Sequence, residues 1–136
     1  EIIDLLPETP VPGASALASS VVNFRGKIIA IVDLRRAFNM PAVAPTVESR
    51  IVVIELDLDG TTVQIGLRTD RVNEVTTLNR SSSEEPPLVG MRWPRDFVRE
   101  LIRRGDGVAI LPDLPAILRS FALSTRTMEA HPSGIA

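Results

Sequence analysis

The acidic side chains include one spacing that is typical of metal binding. Asp57, Asp59 and Gly60 follow the pattern with which a calcium loop begins, because alternating carboxylates can supply oxygen ligands to one cation. Such a loop needs a Glu at its twelfth position, where this chain has Arg68. The flanking runs are apolar and β-branched, which is typical of strands. The segment is therefore predicted to be a hairpin turn, and no metal site is expected.

Catalysis by a nucleophile or by paired carboxylates has little support in the sequence. The absence of Cys excludes disulfides, thiolate catalysis and Cys-based zinc sites, and the single His, His131, stands beside Pro132. A hydrolase would need two carboxylates on one groove, drawn from Asp33, Asp70 or Glu74. Nothing in their spacing brings them together, so a hydrolase is kept only as a remote alternative. Neither an enzyme nor a cofactor is expected.

The composition favours a globular protein that works by binding and not by chemistry. The 136 residues include 15 basic and 17 acidic side chains, for a formal net charge of −2, and 44% are apolar. Without an excess of positive charge, and with no Tyr and one Trp, the chain offers little to phosphates or bases, so nucleic acid is not an expected partner. No apolar run approaches the roughly 18 residues of a membrane-spanning helix. Membrane insertion is therefore not expected, and the expected location is cytoplasmic.

The elements that position these side chains are mostly strands, because the apolar runs are short, β-branched and bounded by turns. Residues 21–32 predict a hairpin that turns at Gly26, where a glycine can adopt the positive φ of a tight turn. Residues 50–67 predict a second hairpin that turns at Gly60, and residues 108–111 predict a further strand. The fold class that follows is all-β.

Two Asp residues are predicted to begin short helices. Asp33 precedes residues 34–38, and Asp113 precedes residues 114–118. In each case the carboxylate can accept a hydrogen bond from an unpaired N–H of the first helical turn. Residues 94–104 fit both a helical face and a strand, so their structure stays open.

The chain carries a weak internal repeat at an offset of 80 residues. When Asp33 is aligned with Asp113, both segments contain a strand, a Gly turn, a second strand, an Asp cap and a short helix. The matched apolar pairs are Val22 and Ile102, Ile28 and Val108, Ile31 and Leu111, Leu34 and Leu114, and Phe38 and Leu118. Two half-length units related by internal duplication explain this pattern.

The second unit contains a hairpin, at about residues 50–73, that has no counterpart in the first. The first lobe is therefore expected to lack its N-terminal hairpin. Those residues either lie outside this sequence or are replaced by a neighbouring chain. Because an open sheet edge can pair with another chain, a homo-oligomer formed through the open edge of the first lobe is one expectation.

Three sequence blocks together resemble the CheW-like family of bacterial chemotaxis coupling proteins. Residues 22–35, VNFRGKIIAIVDLR, resemble the family block V-x-N-L-R-G-x-x-x-P-V-x-D-L-R. Residues 66–75, GLRTDRVNEV, resemble G-x-x-V-D-x-V-x-E-V, and residues 104–113, RGDGVAILPD, resemble the closing G-D-x-x-x-I-L-x-D element. Their order and spacing agree with the family over about residues 1–118.

The resemblance implies two five-stranded β-barrel lobes, SH3-like or OB-like, with a groove between them and no catalytic activity. The predicted domain covers residues 1–123. Its first, incomplete lobe lies at about residues 1–45 and its second at about residues 46–123. A flexible tail is predicted at residues 124–136.

The resemblance also implies partners. Proteins of this family are cytoplasmic adaptors that connect the cytoplasmic tips of methyl-accepting chemoreceptors to the histidine kinase CheA in membrane receptor arrays. The positions that match partner-binding surfaces of the family are Glu1, Arg25, Ile51 and Val72. Glu1 could either pair with Arg25 across the lobe or be a charge at the end of a strand. Two alternatives share the fold: the regulatory domain of a CheA-type kinase, and a CheW-like domain of a fused adaptor.

Overall fold

Strands dominate the computed structural model, which describes residues 1–87 and 94–121. In chain order the strands are β1 (Ile2–Ile3), β2 (Thr9–Pro10), β3 (Ser20–Phe24), β4 (Lys27–Val32), β5 (Arg50–Leu58), β6 (Thr61–Thr69), β7 (Ser83–Glu84), β8 (Val98–Arg104) and β9 (Gly107–Pro112). The α-helices are α1 (Leu34–Ala37) and α2, which is helical over residues 114–121. Short 3₁₀ helices lie at Ala16–Ala18, Arg80–Ser82 and Arg95–Phe97. Within the two described ranges, no helix is long and apolar enough to cross a membrane.

β3 and β4 form the first predicted hairpin. Its turn consists of Arg25 and Gly26, whose φ angles are 53° and 83°. Two positive φ angles in succession give a turn whose twist matches that of the flanking strands. The Asn23 side chain accepts a hydrogen bond from the Gly26 N–H at 2.8 Å, which supports this turn. Arg25 is therefore held at the tip of a well-defined hairpin.

β5 and β6 form the second predicted hairpin, with a turn at Asp59 and Gly60 in the segment that began like a calcium loop. Its position in the molecule differs from the prediction. β6 pairs in parallel with β4, and β1 pairs with β5. Six strands consequently form one sheet in the order β1-β5-β6-β4-β3-β2. The hairpin expected in the second lobe thus completes the sheet of the first sequence unit.

Close packing explains why this hairpin pairs with β4. The inward side chains of β4 are buried, and its residue Ile31 stands opposite Gly66 of β6. A Cβ atom at Gly66 would lie 2.8 Å from side-chain atoms of both Ile31 and Ile51, so only a glycine permits this approach. In the internal repeat, β9 is the strand that corresponds to β4. It ends in Pro112, which has no N–H to donate to a neighbouring strand.

The second sheet has three strands, in the order β7-β8-β9. Residues 94–104, which the sequence left open, contain a 3₁₀ helix at Arg95–Phe97 and then continue as β8. β8 and β9 form a hairpin in which Leu101 stands opposite Ile110. One edge of this sheet is the two-residue strand β7, and the other is the six-residue strand β9.

Both predicted Asp caps are confirmed. The Asp33 Oδ1 atom accepts a hydrogen bond from the Arg35 N–H at 3.1 Å, at the start of α1. The Asp113 Oδ1 atom accepts one from the Ala116 N–H at 3.0 Å, at the start of α2. Each carboxylate therefore satisfies one N–H group that the helix itself leaves unpaired.

Two apolar clusters stabilise the molecule. The first lies inside the curled six-stranded sheet, and its buried members are Val22, Phe24, Ile29, Ile31, Ile51 and Val53. The second has as its buried members Leu17, Val32, Ala37, Ile65 and Ile117. In this second cluster α2 contributes Ile117, while β4 and β6 contribute residues of the large sheet. The two halves of the chain therefore share a core.

The all-β, two-lobed fold class is confirmed, because the two sheets curl into half-barrel-like lobes. The strands are distributed differently from the predicted five and five. The first lobe, which was expected to lack a hairpin, has six strands in its sheet, and the second has three. The long open edge consequently lies at β9 and not on the first lobe. The predicted tail at residues 124–136 lies outside the described residues.

Candidate protein-interaction surfaces

Two of the four predicted site residues, Glu1 and Arg25, form the expected ion pair. The Arg25 Nη2 atom donates a hydrogen bond to Glu1 Oε2 at 2.5 Å. Glu1 is held beside β5, because its carbonyl accepts a hydrogen bond from the Val53 N–H at 2.7 Å. Both side chains stay accessible, with 68% of the Arg25 and 42% of the Glu1 side-chain surface exposed.

The Arg25 guanidinium also lies over an aromatic ring. Its central carbon is 4.8 Å from the centroid of the Phe24 ring, within the range of a cation–π interaction. Phe24 belongs to the first apolar cluster and is buried, so the ring is a fixed platform. An exposed ion pair alone contributes only about 0–1 kcal/mol to stability. A guanidinium that is already oriented nevertheless loses less freedom when it binds a partner's carboxylate.

We call the exposed pair Glu1 and Arg25 the tip surface. It combines two charged groups of opposite sign beside the buried Phe24 ring. Ile28 follows the turn on β4 and is 63% exposed, but it pairs with Asn23 and therefore lies on the sheet face opposite Phe24. A partner would meet the tip surface through the charge pair.

Val72 lies elsewhere, in a groove beside β5. This groove, which we call the Val72 groove, has a volume of about 530 Å³ and is lined by Ile2, Val47, Glu48, Arg50, Arg71, Val72 and Asn73. Val72 is half-buried, whereas Val47 is 93% exposed. Arg71 and Glu48, also in the lining, lie 3.7 Å apart as an exposed ion pair. Apolar and charged groups are therefore both available to a partner here.

Ile51 is completely buried, with 0% of its surface exposed. It belongs to the first apolar cluster, and its Cγ2 atom packs where Gly66 leaves space. A partner cannot reach this side chain in the structure, so Ile51 supports β5 from inside. The alternation along β5 carries the relevant signal, because Ile51 and Val53 are buried while Val52 and Ile54 are half-buried.

The tip surface and the Val72 groove adjoin at neighbouring residues. Glu1 belongs to the tip surface, and Ile2, which is 42% exposed, lines the Val72 groove. Side chains of successive residues in an extended chain point to opposite faces of a sheet. The two patches are therefore adjacent along the chain but face different sides of the sheet.

The carboxylates considered for hydrolysis all have arginine partners. Asp33 and Asp70 line one groove of about 230 Å³, so the structure brings two of the three together. Asp70 accepts a hydrogen bond from Arg35, and Asp33 lies 3.7 Å from Arg68 while it caps α1. Glu74 is bonded instead to an arginine of β8 at 2.5 Å. In the part of the chain that the structure describes, no three His, Asp or Glu residues are grouped as metal ligands.

A polar network around Arg68 was not predicted from the sequence. Its Nη2 atom donates a hydrogen bond to Glu8, which also accepts one from the Ser20 hydroxyl at 2.5 Å. Its Nη1 atom faces Asp33, and its Nε atom is buried without a hydrogen-bond partner. Glu8 and Arg68 are 60 positions apart, so no local pattern predicts their pairing.

An apolar groove between α1 and β9 was likewise not predicted. We call it the β9 groove. It has a volume of about 350 Å³ and is lined by Leu34, Phe38, Met40, Ile110 and Pro112. Met40 and Ile110 are 42% and 41% exposed. The apolar run in β9 was visible in the sequence, but its exposure depends on which strands cover it.

Comparison with known proteins gives a consistent result. The family model for the CheW-like domain matches residues 1–122. The chemotaxis protein CheW of Rhizobium meliloti (strain 1021) is 28% identical over 120 residues, which cover 88% of this chain and 75% of that protein. The chemotaxis protein CheW of Bacillus subtilis (strain 168) is 28% identical over 111 residues, which cover 81% of this chain and 68% of that protein.

A solved structure is also similar. The scaffolding protein TtCheW from Thermoanaerobacter tengcongensis superposes with a TM-score of 0.74 at 28% sequence identity. The match covers 86% of this chain and 73% of that one. The curled two-sheet architecture is thus found in a protein described as a scaffold.

Proposed function

The chain belongs to the CheW-like domain family of non-enzymatic chemotaxis scaffolds, and from this premise we propose that it couples chemoreceptors to a histidine kinase. Its partners are a CheA-type kinase and the cytoplasmic tip of a methyl-accepting chemoreceptor. Its place of action is the cytoplasmic side of the membrane receptor array. The observation that supports this proposal best is the presence of two distinct accessible patches, the tip surface and the Val72 groove, on one packed body.

Two patches on one rigid body are the physical requirement of an adaptor. When one partner is bound at the first patch, the second partner meets the first at a high effective concentration. No chemical step is needed, because the coupling arises from geometry alone. The six-stranded sheet supplies that rigidity through its buried cluster of apolar residues.

At the tip surface, recognition is expected to depend on Arg25. Its planar guanidinium can form two parallel hydrogen bonds with a partner carboxylate. Glu1 holds the guanidinium in place beforehand, and the Phe24 ring packs against its face. At the Val72 groove, recognition is expected to depend on apolar contact, since Val72 and Val47 are accessible there.

The proposal is tested by calorimetric binding of the chain to a CheA regulatory domain and to a chemoreceptor tip fragment. Arg25→Ala is expected to weaken binding of one partner tenfold or more, which corresponds to about 1.4 kcal/mol. Arg103→Ala is the matched control, because Arg103 is 70% exposed and forms a similar ion pair with Glu84 at 2.6 Å on the other sheet. Circular dichroism checks that both variants are folded.

Two outcomes would count against the proposal. If Arg25→Ala and Arg103→Ala bind equally well, the tip surface is not a contact. If the folded chain binds neither partner, the coupling role is overturned. The regulatory domain of a kinase or a domain of a fused adaptor would then replace it.

A further inference from the structure

We propose that Arg35 of α1 is a positioning residue for the Val72 groove. Through its ion pair with Asp70, it holds the chain that leaves β6 in the shape that presents Val72 to a partner. Arg35 does not line the groove itself, so it acts without touching that partner. The inference rests on the proposed function for its partner, but the shape of the groove can be tested in the free chain.

The parallel pairing of β4 and β6 brings Arg35 and Asp70 together. Near the ends of the two strands, Val32 stands opposite Leu67. Arg35 is the third residue after Val32, and Asp70 is the third residue after Leu67. Because parallel strands run in the same direction, both chains leave the sheet at the same edge. The Arg35 Nη2 atom donates a hydrogen bond to Asp70 Oδ2 there. The pair is thus a consequence of the sheet topology.

Arg35 is held at both its backbone and its side chain. Its N–H donates the capping hydrogen bond to Asp33 Oδ1, at 3.1 Å. Only 23% of the Arg35 side-chain surface is exposed, against 63% for Asp70. A side chain that is already packed has little freedom left to lose when it binds a carboxylate. Arg35 is therefore the fixed partner, and Asp70 is the residue that it holds.

Residues 70–74, which we call the 70–74 segment, depend on side chains for their position. The segment belongs to no helix or strand, and it makes no backbone hydrogen bond to any other described residue. Such a segment samples many conformations unless side-chain contacts order it. Asp70 is paired with α1, Arg71 with Glu48 of the turn at residues 46–49, and Glu74 with Arg104 of β8. Ion pairs to different elements therefore fix the segment.

Among these ion pairs, that of Arg35 constrains the segment most. Glu48 and Arg71 are both exposed and lie 3.7 Å apart, so water and salt screen their attraction. Glu74 and Arg104 are also both exposed. Screening is weaker for a charge that is partly buried, which here applies to Arg35. Loss of Arg35 is consequently expected to release the segment more than loss of either other partner.

The constraint on Asp70 reaches Val72 because the two residues are close along the chain. Each residue of an extended chain spans at most about 3.6 Å, so the Cα atoms of Asp70 and Val72 are within roughly 7 Å. Val72 is half-buried in the groove, and the turn at residues 46–49 supplies Val47 and Glu48 to the same lining. Movement of the 70–74 segment would change the spacing between these two parts of the lining.

The shape of the groove is tested in the free full chain by NMR of the Val72 methyl groups, whose signals are assigned by their loss in Val72→Ala. Arg35→Ala is expected to shift these signals, and Asp70→Asn, which removes the charge at an exposed position, should shift them in the same direction. Arg36→Ala is the matched control, because Arg36 lies on the same helix but its exposed side chain does not pair with Asp70. It should leave the signals unchanged.

Reversal of the pair separates positioning from a general structural role. The double variant Arg35→Asp with Asp70→Arg keeps an ion pair at this place and should return the Val72 signals toward their original positions. Neither single reversal should do so, because each places two like charges together. Circular dichroism checks that every variant is folded.

The effect on binding is measured by calorimetry with the partner that Val72→Ala weakens. Arg35→Ala is expected to weaken that partner about fivefold, because a released segment has to be ordered again on binding. In a chain that already carries Val72→Ala, it should have almost no further effect, since both changes act at one contact. The two effects would add in full if Arg35 acted independently of Val72.

Three results would overturn the inference. The first is an unchanged Val72 signal in folded Arg35→Ala and Asp70→Asn chains, and the second is an equal change in Arg36→Ala. The third is full additivity of Arg35→Ala and Val72→Ala in binding. Failure of the chain to bind either partner would instead overturn the proposed function, while the shift of the Val72 signals would still support the positioning role of Arg35.

Discussion

At the scale of single residues, burial separates the side chains that can contact a partner from those that support the fold. Ile51 and Ile28 are both Ile residues in the six-stranded sheet, but Ile51 is 0% exposed and Ile28 is 63% exposed. Only an exposed side chain can lose its water to a partner. The family resemblance places Ile51 near a partner surface, whereas its packing gives it a structural role.

Ile51→Ala is expected to lower the free energy of unfolding by about 2–5 kcal/mol, because a fully buried Ile would leave a cavity. Ile28→Ala is the control and should change it by about 0.5 kcal/mol or less, as expected for an exposed position. Urea denaturation followed by circular dichroism measures both values. Equal effects of the two substitutions would contradict the burial of Ile51.

Gly66→Ala is expected to destabilise the chain by about 1–3 kcal/mol, the usual cost of forcing extra volume into a packed core. The added Cβ would meet Ile31 and Ile51 side-chain atoms at 2.8 Å. Gly107→Ala is the control, because the nearest atom to its added Cβ is 3.7 Å away. The same urea experiment distinguishes them, and a neutral Gly66→Ala variant would show that β6 does not approach β4 this closely.

At the scale of elements, local chemistry accounts for the parts of the fold that were predicted correctly. Gly26 and Gly60 lie in the hairpin turns, and Asp33 and Asp113 cap the helices, as predicted. A turn or a helix cap depends on only a few neighbouring residues, so the local sequence is enough to predict it. The sheet to which the β5–β6 hairpin belongs is not a local property. It depends on the close approach at Gly66, which involves residues far apart in sequence.

Asp113→Ala is expected to cost about 1 kcal/mol in unfolding free energy, because the first turn of α2 loses its cap. Asp113→Asn should cost much less, since the Asn side chain can accept the same hydrogen bond. Thermal or urea denaturation gives the comparison. A loss of similar size in both variants would show that the charge of Asp113, and not its hydrogen bond to Ala116, is what matters.

The candidate site was only partly predictable for a related reason. Arg25 was identified from a sequence block and Glu1 as a position that matches a partner-binding surface of the family, and their pairing follows from the hairpin that places Arg25 at its tip. The Arg68 network and the β9 groove were missed because each joins segments that no sequence spacing connects. Whether an apolar residue is exposed depends on which strands cover it. The sequence did not determine which sheet each strand joins.

At the scale of the whole molecule, the two sheets are expected to unfold together. Ile117 of α2 is 0% exposed and belongs to the same buried cluster as Val32 and Ile65 of the large sheet. Packing across this shared core connects the lobes more firmly than a linker would. The molecule should therefore behave as one cooperative unit.

Ile117→Ala is expected to lower the stability of both sheets by the same amount, about 2–5 kcal/mol. Native-state hydrogen exchange can measure this separately for amides of β5 and of β8. Leu118→Ala, at a half-buried neighbouring position, is the control and should have a smaller effect. A loss confined to β8 would show that the lobes are energetically independent.

The pairing of the β5–β6 hairpin with β4 also constrains the order in which the chain can fold during its synthesis. β1 must wait for β5, because Ile2 pairs with Val52, and the edge of β4 stays open until β6 has left the ribosome. Such distant pairings slow folding, since a long loop has to close before they form. A nascent chain that ends near residue 45 would expose the β4 edge, and a fragment that begins near residue 46 would carry the β5–β6 hairpin without its sheet. The two halves of this protein are therefore inseparable as folding units, and a ribosome that paused between them would hold an aggregation-prone intermediate.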